Sequence, residues 1–286
     1  MPFRRPIVVV LAPALLLAGC TTAPQDSYGK DGGLSLSVVQ SRNDHGARIV
    51  SLEVKSNRND SVTLNRAELT TAQLKDSAVW AKGTVLRPGL AIDLKVQLGD
   101  PACPIADNIT ARVSVNFTTP EGVTRTVSGV PDQPAGILPT IADEDCLAAG
   151  LLDHTGFEVK DFEWTPGANK PATLVIALTP TDAAGSVTIR SVLPTVLMAI
   201  VTPDGGFDAE LPLDLTLDAD SPQQDLRVGI IPNRCDTHAI AEDKRGTFFP
   251  FRIEVEGGPS GLYFTAMTEE QKSSAYDFIR NYCHAS

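Results

Sequence analysis

The chain lacks the short motifs that announce common chemistries. It has no Gly-x-Ser-x-Gly elbow, no His-Glu-x-x-His, no Walker-type phosphate loop and no glycine-rich turn leading into a helix. The usual signatures of serine hydrolases, zinc peptidases and nucleotide-binding enzymes are therefore missing. Histidine is scarce, and His45, His154, His238 and His284 sit in separate segments without metal-ligand spacing. Lysine and arginine form no cluster, and the formal charge is −11. Such a surface repels phosphate backbones and anionic headgroups, which argues against nucleic acid as a partner. Long apolar runs are also lacking. The strongest are residues 7–17 and 192–201, the second interrupted by Pro194, whereas a spanning helix needs about 20 apolar residues. Residues 192–201 are expected to form a buried strand pair.

What is present starts at the amino terminus. Arg4 and Arg5 precede the apolar run, which leads into Leu17-Ala18-Gly19-Cys20 and then Thr21, Thr22 and Ala23. Basic residues, a short apolar core and small residues before a cut site are the pattern of a secretory signal peptide. The last four residues resemble the lipobox of bacterial lipoproteins. The resemblance implies that the Cys20 thiol carries diacylglycerol and becomes the first mature residue, with the protein lipid-anchored on the extracytoplasmic face of the cell membrane. Each buried methylene contributes about 0.8 kcal/mol, and two chains are needed for durable anchoring. Cleavage leaves 22 basic and 35 acidic residues, a net charge of −13. Residues 20–33 are polar and read as a tether, whose coil extension is about 20 Å.

Past Cys20 there are four cysteines, at 103, 146, 235 and 283, an even number in an oxidising compartment. Four cysteines allow three pairings. A duplication selects one of them. Ser61-Val62-Thr63-Leu64 recurs 125 residues later as Ser186-Val187-Thr188-Ile189, and a strand running into Cys103 recurs 132 residues later as one running into Cys235. Cys146 lies 43 residues beyond Cys103, and Cys283 lies 48 beyond Cys235. Each half thus closes with a cysteine at similar reach, and the pairings 103 with 146 and 235 with 283 follow.

About seven short alternating or β-branched runs per half, separated by Gly, Pro, Asn and Asp turns, specify an all-β fold. Leu34, Leu36, Val38 and Val50, Leu52, Val54 repeat at period two, placing apolar side chains on one face. Strand number and spacing resemble two tandem immunoglobulin-like or fibronectin-like antiparallel β-sandwiches. The expected domains are a signal peptide at 1–19, the lipidated tether at 20–33, a first sandwich at 34–146 and a second at 147–286. Residues 131–156, with three prolines and Asp143-Glu144-Asp145, read as a connector. One helix is expected, short and C-terminal: Thr268 and Gln271 form a capping box, and Ala275, Phe278, Ile279 and Tyr282 share a stripe. Trp80 and Trp164 fall near strands and are expected in the cores.

The densest polar stretch runs from Arg234 through Cys235, Asp236, His238, Glu242, Asp243, Lys244 and Arg245 to Gly246. If Asp236 caps a helical turn, His238 and Glu242 share a face at i and i+4, and imidazole with carboxylate can hold a divalent metal. The bland alternative is a disulfide-pinned loop with local charge pairing. The stretch resembles one in a family of bacterial envelope lipoproteins, a likeness that implies no activity. Asp214, Asp218, Asp220 and Asp225 read as a solvated strand face, and His45, after Asn43-Asp44 and before Gly46, as an exposed turn residue.

The resulting expectation is a non-catalytic, lipid-anchored binding or scaffolding protein of the cell envelope, without a cofactor. Its partners would be the membrane, through Cys20, and an envelope protein or glycan. The rival expectation is a metal- or small-ligand-binding envelope protein, or an enzyme, using Asp236, His238 and Glu242.

Overall fold

The structure, a computed structural model, describes residues 31–284 except 105–109, 134, 168–169, 203, 208–209, 242 and 244–245. The signal segment, Cys20 and most of the tether lie outside the described residues. The fold is mostly antiparallel β-sheet, as the alternating pattern predicts.

The first half contains β1 (Leu34–Val39), β2 (Ile49–Ser56), β3 (Val62–Thr70), β4 (Ala78–Trp80), β5 (Thr84–Leu86), β6 (Ala91–Gln97), β7 (Arg112–Thr118) and β8 (Thr124–Gly129), followed by helix α1 (Ile137–His154). One sheet runs β1-β2-β6, the other β4-β3-β7-β8 with β5 also on β3. The second half contains β9 (Thr155–Glu163), β10 (Ala172–Pro180), β11 (Ser186–Val192), β12 (Met198–Val201), β13 (Leu211–Asp218), β14 (Gln224–Pro232), the one-turn helix α2 (Thr237–Ala241), β15 (Phe248–Val255), β16 (Ser260–Ala266) and helix α3 (Glu269–His284). Its sheets run β12-β14-β10-β9 and β13-β11-β15-β16.

The two halves repeat one connectivity. Strands β1, β2 and β6 correspond to β9, β10 and β14, while β3, β7 and β8 correspond to β11, β15 and β16. The repeat extends to an irregularity. The register of β3 against β7 shifts between Leu64 and Arg66, and that of β11 against β15 between Ile189 and Ser191. The extra residues, Asn65 and Arg190, are 125 positions apart, the same spacing as the recurring Ser-Val-Thr tetrad. A bulge is a specified feature of a strand, because the added residue re-aims everything beyond it.

Each half closes around its own core. The inward residues of β1 and β2, Leu34, Leu36, Val38, Val50, Leu52 and Val54, are buried with Leu64, Trp80 and Phe117. In the second half Leu174, Ile176, Ile189, Val228, Ile230, Phe249 and Phe251 do the same. Trp80 lies in the first core, while Trp164 is half-buried and donates its indole N–H to Ser274 Oγ on α3 at 2.9 Å. Arg87-Pro88-Gly89 forms a turn, with Leu90 N–H donating to the Arg87 carbonyl at 3.2 Å and Gly89 at φ 72°.

Two expectations are corrected. Residues 137–154 form an 18-residue helix and not a connector. Pro139 is tolerated because the first N–H groups of a helix have no intrahelical acceptor. The boundary expected between 146 and 147 falls inside this helix. Its start, Leu138 and Ile141, belongs to the first core, and its end, Leu147 and Leu151, to the second. Gly150 permits the close approach to the second half, since a Cβ there would meet Val255 at 3.1 Å. Residues 192–201, expected as a strand pair, supply the end of β11 and all of β12, which lie in different sheets. Pro194 falls in the crossover.

The disulfides are those expected. Cys103 bonds Cys146 with Cα atoms 5.6 Å apart, and Cys235 bonds Cys283 with Cα atoms 5.5 Å apart. Each fixes the helix that closes its half to the segment after the equivalent strand, β6 or β14. The α3 capping box also forms, with Gln271 N–H donating to Thr268 Oγ1 at 3.2 Å and Thr268 N–H to Gln271 Oε1 at 2.9 Å. Ala275, Phe278 and Ile279 are buried.

Candidate functional site

The expected metal segment is brought together only in part. Cys235 is bonded to Cys283, and Asp236 receives the Arg234 guanidinium at 2.9 Å. His238 is exposed on the five-residue α2. Glu242, Lys244 and Arg245 lie outside the described residues. Asp243 accepts from Gly246 N–H at 2.5 Å and from the Tyr276 hydroxyl at 2.8 Å, closing the loop onto α3. Burial, followed by that carboxylate, raises the Tyr276 phenol well above its ordinary value. Among the described residues, no three His, Cys, Asp or Glu side chains gather closely enough to hold a metal.

Other candidates occupy ordinary structural places. Asp214 is 69% exposed and pairs with Arg190, and Asp225 pairs with Lys160 at 2.7 Å. Asp218 accepts from the Ser221 hydroxyl in the turn after β13. His154 ends α1, its Nδ1 2.8 Å from the Gly150 carbonyl oxygen, and His284 ends α3.

A cleft lies between the halves, at residues that sequence pattern did not single out as a site. It is built first from the turn between β1 and β2. Arg48 N–H donates to the His45 carbonyl and Ile49 N–H to the Asp44 carbonyl, both at 3.0 Å. Arg48 takes φ 51°, a left-handed conformation uncommon outside glycine. Asp44 is buried and receives Lys95 Nζ at 2.7 Å, which ties the turn to β6. Arg48 then reaches Asp145 on α1 at 2.5 Å, and His45 Nε2 stands 3.5 Å from Glu144. His45 is thus half-buried against a carboxylate, a correction to its expected exposure. The turn is folded against α1, whose proline- and acid-rich sequence resembles a connector. Burial raises the Asp145 carboxyl above its ordinary value, and Arg48 opposes that rise.

Facing this turn and helix are Phe248 of β15 and Leu262 and Phe264 of β16, while the Tyr263 ring between them is turned into the second core, 5.3 Å from that of Phe157. Together they enclose a cavity of about 320 Å3. Burial pushes the Tyr263 phenol up. A second groove of about 260 Å3, lined by Arg42, Asn43, Thr247 and Lys272 among others, adjoins the first at Gly46 and Phe248. An open cavity with aromatic walls and one charged rim is suited to binding. The aromatic run Phe248-Phe249-Pro250-Phe251 was the available sequence signal. Strand alternation sends Phe249 and Phe251 into the core and Phe248 toward the cleft.

No protein-family model matches the chain, and no curated protein matches it. Several solved structures share a partial likeness. Red sea bream transglutaminase is 8% identical with a TM-score of 0.23, covering 83% of this chain and 31% of its own, so this chain spans under a third of that protein. CBD12 from CALX1.2 is 11% identical with a TM-score of 0.24, covering 77% of this chain and 79% of its own. The sporulation control protein Spo0M from Bacillus subtilis is 11% identical with a TM-score of 0.24, covering 88% and 99%. Likeness at this level carries no argument about what this chain does.

Proposed function

We propose that the chain is a lipid-anchored extracytoplasmic binding or scaffolding protein of the bacterial envelope, non-catalytic, whose folded part is a tandem of immunoglobulin-like or fibronectin-like sandwiches. The observation that carries the reading is the complete pairing of the four cysteines after Cys20. Stable disulfides belong to oxidising compartments, and the lipobox-like Leu17-Ala18-Gly19-Cys20 supplies a route to one. Two sheets around each core and the shared connectivity support the tandem-sandwich description. The acidic exterior leaves the acyl chains as the means of membrane attachment. The cleft between the halves supports binding as the role.

The test is incorporation of radiolabelled palmitate in a bacterial host. The wild-type chain is expected to be labelled and to fractionate with membranes, and Cys20→Ser to be unlabelled. An unlabelled wild-type chain overturns the proposed address. Crosslinking and pull-down from envelope extracts are expected to retain one specific protein or glycan.

A further inference from the structure

We infer that the end of the first half at which the chain enters is a membrane-docking surface, held against the phospholipid leaflet that carries the anchor. This deepens the lipid-anchored reading above and rests on it.

Strand register gathers four segments at this end. Leu34 pairs Ser56 and Lys55 pairs Ala91, so the start of β1, the end of β2 and the start of β6 lie side by side. The chain then turns into β3, where Val62 pairs Leu86 and Thr63 pairs Thr118, itself paired with Thr124 across the β7–β8 turn. The entering segment is bolted there. Asn57 N–H donates to the Gly33 carbonyl at 2.8 Å, and the Arg58 guanidinium donates to the Gly32 carbonyl at 3.1 Å. Cys20 precedes Asp31 by 11 residues, a length of chain that reaches at most about 40 Å in any conformation. An acyl anchor on Cys20 thus holds this end of the fold near the bilayer.

The same end is where apolar side chains are left in the open. Among the described residues seven large apolar side chains are exposed, and three of them, Val85, Leu90 and Val123, stand here. Two sit on turns fixed to strand ends. The Leu90 carbonyl accepts from Ser56 N–H at 2.9 Å, and the Val123 carbonyl from Thr119 N–H at 3.0 Å. Single exposed apolar residues are ordinary, whereas several at one end mark an interaction surface.

The duplication supplies an internal comparison. Thr63 pairs Val85 and its counterpart Thr188 pairs Thr216, which equates Val85 with Thr216. Phe117 pairs Arg125 and its counterpart Ile253 pairs Gly261, which equates Val123 with Pro259. The turn Arg87-Pro88-Gly89-Leu90 is replaced by Ala219-Asp220-Ser221-Pro222-Gln223. Large apolar tips therefore belong only to the copy that the anchor enters.

Charge at this end differs from that of the chain as a whole. Segments 31–34, 55–62, 84–91 and 118–125 hold four basic and three acidic residues, in a chain with 24 basic and 35 acidic. The general acidity that repels lipid headgroups is absent here. Arg87 and Arg125 are exposed, and such side chains lay their stems on apolar surface while their heads stay among phosphates. Apolar tips at the boundary of headgroups and acyl chains, flanked by arginine, suit a lipid surface. Docking this end would hold the cleft at the β1–β2 turn about one strand length away, roughly 20 Å from the lipid.

The test is fluorescence quenching of the full lipidated chain, reconstituted into vesicles of about three parts phosphatidylcholine to one of phosphatidylglycerol. The phosphatidylcholine carries bromine on its acyl chains. Leu90→Trp and Val123→Trp are expected to raise quenching at least twofold over the wild-type chain, whose Trp80 and Trp164 give the baseline. Val79→Trp, exposed at the far end of β3, and Val196→Trp, exposed in the second half, are expected to match the baseline. They share any preference of the indole itself for the bilayer. Adding Arg87→Glu and Arg125→Glu to Leu90→Trp is expected to return quenching toward baseline. Quenching of Leu90→Trp and Val123→Trp no greater than wild type, or equal quenching of all four tryptophan variants, overturns the inference. A palmitate-labelled chain that fails in this way keeps its anchor and loses only the docking surface, whereas an unlabelled chain overturns both.

Discussion

Arg48 and Asp145, 97 residues apart, join the β1–β2 turn to the helix that serves both cores. The pair is partly buried: side-chain exposure is 31% for Arg48 and 14% for Asp145. Burial sets the folded pKa of Asp145 above its unfolded value, so this site favours the folded state most at low pH and less as pH rises through that window. Arg48 holds the rise in check. Arg48→Met removes that restraint and lifts the folded pKa further. The cost of the substitution is therefore expected to grow with pH, from near zero at pH 3 to about 1–3 kcal/mol at pH 7, between the values for exposed and fully buried pairs. Urea unfolding at several pH values measures it, and a pH-independent cost would refute the assignment.

The backbone of Arg48 makes a separate prediction. At φ 51° a side chain is strained and glycine is not. Arg48→Ala and Arg48→Gly both lose the Asp145 contact, but the glycine variant is expected to be the more stable by about 1 kcal/mol despite its greater unfolded-state entropy. Paired thermal melts read the difference.

Helix α1 contributes to two cores, and its substitutions are expected to separate accordingly. Leu138→Ala opens a cavity in the first half and Leu151→Ala in the second, each costing about 2–5 kcal/mol. Hydrogen exchange is expected to show lost protection in β2 and β3 for the former and in β10 and β15 for the latter. Equal loss across both halves in each variant would mean that they unfold as one unit.

Removal of the disulfides gives a third comparison. Cys103 and Cys146 close a 43-residue separation, and Cys235 and Cys283 a 48-residue one. Chain entropy predicts a similar loss for either pair, about 4 kcal/mol, when both cysteines become alanine. Denaturant midpoints of the two double variants test it, and non-reducing peptide maps should recover only these pairings.

For the segment around His238, zinc and copper titrations of wild type and His238→Ala are expected to give equal, negligible binding. Asp236 is engaged by Arg234, and no trio of donors gathers among the described residues. Binding that is lost on substitution of His238 would revive the metal reading.

The fold was largely readable from local pattern. Period-two apolar positions such as Leu34, Leu36 and Val38 give strand faces directly, and the similar cysteine spacings, 43 and 48 residues, together with the duplication give the disulfides. Helix α1 was hidden because Pro139, Gly150 and three consecutive acids imitate a linker. Its apolar residues serve two different cores, so no single stripe dominates the sequence. The cleft was hidden for a related reason. His45, Glu144 and Phe264 belong to distant segments, and only the packing of one copy against the next brings them together. Pattern reading had no access to that step.

The matched bulges at Asn65 and Arg190 have a consequence for engineering. An unpaired residue reverses which side chains point inward downstream of it, so two strands are exchangeable only if the reversal happens at the same step. Grafting residues 186–192 onto positions 61–67 meets that condition, and Val192 then takes the buried place of Ala67. Shifting the splice by one position would turn the transplanted strand inside out. The protein thus carries its own spare part for this strand, interchangeable in phase though not in every side chain.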